Sequence, residues 1–146
     1  MISAIKSIKR VFSQNGGGGA ATNLVGSPCE IQLAASDETT ALTTGTSKVS
    51  FRMPFAMTLT EVRASLVTAQ ASGTIFTVDI NEAGVSVIST KLTIDNTELT
   101  SVTAATPPVI SDSGLADDAL ITIDIDQIGD GTAKGLKVLL KGTRAW

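Results

Sequence analysis

A chain of 146 residues suits one domain plus a tail, and its 42% apolar content can supply a core. It contains no His, no Tyr and one Cys, and its net charge is −3. Ser-His-Asp and Cys-His nucleophile schemes and cysteine zinc clusters therefore cannot be assembled; a basic field for nucleic acid is missing, and no apolar run reaches transmembrane length. Carboxylates, Lys, Arg and hydroxyls remain for chemistry, so a carboxylate-only glycosidase survives as a reading. Aromatic residues make up only 3% of the chain. The core must come from Val, Ile, Leu and Ala, and the Thr/Val/Ile-rich composition favours pleated surfaces over helices.

Residues 1–20 hold Lys6, Lys9 and Arg10 and no acid, a charge of +3. Removing those three from the 11 basic groups leaves 8 against 14 acidic groups, so residues 21–146 carry −6. Ile2, Ile5, Ile8 and Phe12 recur at spacings of three to four, which predicts a short amphipathic helix over residues 1–14. About a dozen helical residues are marginal alone in water, so the stripe needs a partner surface. A secretory signal fits poorly, because the charges fall inside the apolar stretch. We read the segment as an anchoring interface on another protein in preference to a membrane-surface helix or an idle tail. Residues 15–28, with Gly16–Gly19, read as a Gly-rich linker; this run lacks the Lys-Ser/Thr ending of a phosphate loop.

Residues 29–146 change to period two. Cys29–Leu33 opens the pattern, and Val49, Phe51 and Met53 follow with polar residues between them. Val62, Ala64 and Leu66 alternate in the same way, as do Phe76, Val78 and Ile80. Val85 and Val87 flank Ser86, and Leu92 and Ile94 flank Thr93. Ile121, Ile123 and Ile125 form the cleanest run, and Leu136, Val138 and Leu140 the last. Each segment has one apolar face, the pattern of antiparallel strands packed on one side. Asn81-Glu82-Ala83-Gly84 and Gly129-Asp130-Gly131-Thr132 read as tight hairpins, and Ala71-Ser72-Gly73 and Ser111-Asp112-Ser113-Gly114 as further turns. Pro107-Pro108 marks a break or a sheet edge. The expected fold is all-β: an antiparallel, jelly-roll-like β-sandwich of about eight strands, with Ile123 and Val78 buried.

The acidic stretch Asp117-Asp118, Asp124, Asp126 and Asp130 holds the best candidate residues. Asp124 and Asp126 share one strand face about 7 Å apart, so loop carboxylates could join them around Ca²⁺ or the pair could serve as glycosidase acids. A strand is a poor cage for a cation, and sugar-stacking aromatics are scarce, so the favoured reading is a solvated face with no metal and no cofactor. Arg52 and Arg63 lie on polar strand faces, where either could pair with Asp or Glu across the sheet.

Ala35–Leu42, Phe51-Arg52-Met53-Pro54, Val62–Leu66 and Val78–Glu82 together resemble a recurring structural domain of tailed-bacteriophage virions. Ser89–Asp95, Ile123–Gly129 and Lys134–Val138 extend the resemblance to about residues 34–144. It implies a non-enzymatic module of the virion with a jelly-roll-like build, on heads as a decoration (cement) or head-fibre protein. The tail-fibre or baseplate alternative implies a host receptor glycan as ligand. No catalytic residues come with it. Partners would be the major capsid protein or other virion subunits, not nucleic acid or membrane, and particle symmetry points to a homotrimer.

Overall fold

The structure, a computed structural model, describes residues 24–145. The predicted helix over residues 1–14, its anchoring residues Ile2, Ile5, Ile8 and Phe12, and most of the linker lie outside the described residues.

The described chain is all-β, with eleven strands where the periodicity suggested about eight. The first four are β1 (Pro28–Ala34), β2 (Gly45–Arg52), β3 (Met57–Ser65) and β4 (Phe76–Glu82). Three short strands follow: β5 (Val85–Ser86), β6 (Ile88–Thr90) and β7 (Leu92–Ile94). A 3-10 turn at Ser101–Thr103 precedes β8 (Val109–Ile110) and β9 (Gly114–Leu115), and β10 (Leu120–Gln127) and β11 (Lys137–Arg144) complete the fold. The additional strands are two or three residues long, too short for alternation to reveal. β1 starts at Pro28, the residue that closed the expected linker; Pro at the first position of an edge strand loses no ladder bond.

Two antiparallel sheets form a β-sandwich-like body. The first has the order β1-β11-β3-β9, and the second has the order β2-β10-β4-β5, with β7 also paired to β4. Consecutive strands alternate between the sheets from β1 to β4 and again from β9 to β11. The loop over Gly129–Thr132 is therefore no hairpin: β10 and β11 lie in different sheets and the loop crosses between them. Asn81–Gly84 does form the expected tight turn, with Ala83 at φ 48° and Gly84 at φ 84°. Successive positive φ values match the twist of a two-residue hairpin, and Ala83 carries the steric cost that Gly84 avoids.

The sheets share one core. Phe76, Val78, Ile80, Ile121 and Ile123 from one sheet meet Met57, Leu59, Val62, Val138 and Leu140 from the other. Val78 and Ile123 are fully buried, as the alternation required. Ile123 sits in register between Val49 on β2 and Ile80 on β4, in the middle of its sheet. The same logic explains a weaker result: Val49 and Phe51 are only half-buried, because β2 is an edge strand beside β10. Val85, expected to share a buried face with Val87, is 70% exposed at the hairpin tip.

Candidate functional site

The acidic residues singled out from the sequence lie on or near the outer face of the second sheet. Ile121, Ile123 and Ile125 point into the core, so Thr122 and Asp124 face outward on β10. On β4 the inward Val78 and Ile80 leave Asp79 and Asn81 outward, and the register sets Asp79 directly opposite Asp124. Like charges so placed destabilise a sheet unless each finds its own partners. Asp124 accepts the Ser47 N–H at 2.7 Å and the Asn81 side-chain amide at 3.1 Å. Its two oxygens thereby tie β2, β10 and β4 together.

Asp79 is the residue the sequence reading passed over. It is 5% exposed, and one of its oxygens accepts the Ser86 hydroxyl at 2.6 Å and the Ile80 N–H at 2.9 Å. Its other oxygen lies 3.0 Å from the Lys91 ammonium, which also pairs with Asp126. Hydrogen bonds to Asp126 and then Asp79 raise the Lys91 pKa above its ordinary value, so the ammonium stays charged. A buried carboxylate is tolerable only with such partners. The signal in the sequence was indirect: a lone Asp in an otherwise apolar-faced strand, with Lys91 just before β7, the strand that pairs with β4.

This arrangement separates the expected pair. Asp124 binds a backbone amide and an asparagine, and Asp126 binds a lysine. No group of three or more acidic, Cys or His side chains could hold a metal among the described residues. Asp118 contributes its backbone carbonyl to Arg52, 2.9 Å away. Arg52 thus meets a carbonyl in place of an acid, and Arg63 pairs with Glu61 of its own strand, not across the sheet. Glu61 and Arg63 are two residues apart and so share a strand face, just past a register shift in β3 where Glu61 and Leu59 face the consecutive Lys141 and Gly142.

Asp130 is a clamp at the far end. One oxygen accepts the N–H groups of Ala71 and Ser72, at 2.8 and 2.9 Å, and the other accepts the Thr132 hydroxyl and N–H. The Thr132 hydrogen bonds, followed by those from Ala71 and Ser72, lower its pKa to about 2. Beside it Gln70, 1% exposed, donates to the Thr74 carbonyl and Asn96 and accepts the Gly129 N–H. The two residues bind the β3–β4 connection to the crossover loop before β11. Asp37 is held well below the usual carboxylate range by the N–H groups of Thr40 and Thr39.

A surface groove of roughly 490 Å³ lies beside β3. Val62 lines it from the sheet, and Val102, Pro107, Pro108, Val109 and Ile110 line it from the chain that leaves the sheet edge. Val102 and Val109 are 62% and 51% exposed, with Val67 and Leu99 also open nearby. Glu61 and Arg63, paired to each other, stand at its rim. A groove of this size with an apolar lining suits side-chain burial better than proton transfer.

Neither a family model, nor a curated protein, nor a solved structure matches this chain.

Proposed function

We propose that this chain is a non-enzymatic structural module of a tailed-phage virion, a head-decoration or head-fibre protein built on a jelly roll. The observation that carries this reading is the strand order. Taking β5–β7 as one bent run and β8–β9 as another gives eight units, in the sheet orders 1-8-3-6 and 2-7-4-5. That is the double Greek-key order of jelly rolls, an architecture of viral capsid domains that lectins and cupins also use. Fold alone does not assign function. The virion assignment draws on the resemblance across residues 34–144, which spans most of this strand order.

Two further features support an assembly role. β1 pairs with β11 in unbroken register from Pro28 to Ala34, and no second strand covers its other edge among the described residues. An uninterrupted edge is a template for a strand of another chain. The acids that a glycosidase would need are engaged in hydrogen bonds and ion pairs that hold strands together. In this reading Ile2, Ile5, Ile8 and Phe12 dock on another virion subunit while the β body is displayed, and the module associates as a trimer.

Imaging of intact particles tests the proposal. The expected result is density for this chain at a fixed copy number on the capsid lattice. Density at the tail tip would move the protein to the receptor-binding class, and absence from particles would end the virion reading. The paired substitution Ile5→Asp and Ile8→Asp should abolish incorporation and leave a folded body. Light scattering of the purified full chain should give the mass of a trimer; a strict monomer at high concentration would count against self-association.

A further inference from the structure

The groove beside β3 is a gap in a sheet edge. At one end of β3, Leu115 and Gly114 pair with Met57 and Thr58, and the Leu59 N–H donates to the Ser113 carbonyl at 2.7 Å. At the other end, the Ala64 N–H donates to the Ser101 hydroxyl, Thr100 bridges Ser65, and the Leu66 N–H donates to the Leu99 carbonyl. Both pieces run antiparallel to β3 along one line. Between them the chain departs to form β8 against β6, leaving residues 60–63 of β3 without a paired strand on that side among the described residues. The gap is lined by the apolar residues named above, and Val102 and Val109 stand half or more exposed over it. Large aliphatic residues clustered around a hollow mark an interaction site more often than a solvated surface does.

We propose that this groove is the resting site of the chain's own N-terminal segment, with the apolar stripe of Ile2, Ile5, Ile8 and Phe12 packed against Val102, Val109 and Pro108. Three observations select that occupant. The first is reach. β1, which begins at Pro28, lies two strands from β3, a lateral distance of roughly 10 Å. The stretch from Phe12 to Leu24, with Gly16–Gly19 in it, is long enough to bridge about 20 Å at coil dimensions and about 40 Å at full extension. A second hollow, lined by Pro28, Cys29 and Thr60, leads from the start of β1 to Thr60, which also lines the groove.

The second observation is charge. The segment carries Lys6, Lys9 and Arg10 and no acid, against the −6 of the rest of the chain. At the groove rim Glu61 is already paired with Arg63 and Lys141, so the local acid is Glu98, hydrogen-bonded to Thr103 at the end of the 3-10 turn that forms one wall. The third is concentration. A tether of this length holds the segment at an effective concentration on the order of millimolar, so even weak complementarity fills the groove. The inference concerns the free protein and stands apart from the virion reading. If that reading also holds, the stripe leaves the groove when it docks, and the resting state lowers the apparent affinity for the partner.

The test uses the full chain in solution, with methyl and amide NMR together with hydrogen exchange. Ile5→Asp combined with Ile8→Asp should shift the resonances of Val62, Val102 and Val109 and raise exchange across residues 2–12 at least about tenfold. Val102→Asp, a change at an exposed position, should raise exchange over the same residues without moving the melting temperature of the β body. Groove resonances identical in the wild type and the paired Ile variant would overturn the proposal. So would unchanged exchange in Val102→Asp. Shifts that grow with protein concentration would place the segment in a second copy and equally overturn it. Each result is independent of whether the protein enters particles.

Discussion

The outer faces of the two sheets start from the same alternating pattern and end in opposite conditions. On the second sheet, Asn81 bonds to Asp124 and Lys91 to Asp79, and the Asp79 side chain is only 7% exposed. On the first sheet, Glu61 forms ion pairs in water with Arg63 and Lys141, whose side-chain exposures are 43% and 48%. One face is closed by its own hydrogen bonds. The other remains solvated and has an apolar groove at its margin. A polar residue on a strand can therefore be structural or merely soluble, and burial by neighbouring strands decides which.

The comparison breaks most sharply at the shared core. Ile123→Asp places an unpaired charge between Val49 and Ile80, beneath both faces, and should cost roughly 4 kcal/mol or more, leaving no cooperative thermal transition by circular dichroism. Gly142→Ala tests the register shift on the first sheet. Its Cβ would lie 2.1 Å from the Thr58 carbonyl oxygen, and the backbone there must move, at a cost of about 3 kcal/mol in denaturant titration.

Single-charge deletions sharpen the contrast between the faces. Lys91→Met strands the buried Asp79 carboxylate and should destabilise by about 2 to 3 kcal/mol. That is less than a fully buried pair loses, because the Lys91 side chain is itself 41% exposed. Adding Asp79→Asn should recover part of the loss. Arg63→Met and Lys141→Met on the solvated face should each cost less than about 1 kcal/mol. Comparable losses on both faces would remove the distinction.

The smallest effects appear in pH dependence. The raised Lys91 pKa means its contribution is complete below the ordinary lysine value of about 10.4 and is lost as pH rises through the folded value. Asp130 has the opposite sign. Its contribution is complete above the ordinary carboxylate value of about 3.9 and is lost as pH falls through its folded pKa of about 2. Hydrogen exchange at Ala71 and Ser72 should accelerate across that acid window in the wild type and show no such step in Asp130→Ala.

What the sequence by itself determined is the class of fold and the inward faces of its long strands. Period-two runs such as Ile121–Ile125 and Phe76–Ile80 require one buried face wherever the strands pair, and the Asn81–Gly84 turn is set by its own residues. Tertiary structure alone decided the rest. β8 and β9 exist because a distant strand offers them an edge, since two residues carry no period of their own. Gly129–Thr132 became a crossover because β11 pairs with β1 and β3, a choice no local turn signal encodes. Asp79 changed from a surface acid to a buried anchor because β10, from far along the chain, packs beside it while Ser86 on β5 and Lys91 fold back onto it from the segment that follows β4. Local sequence fixes which way a side chain points, while the distant segments that pack around it decide what it meets there.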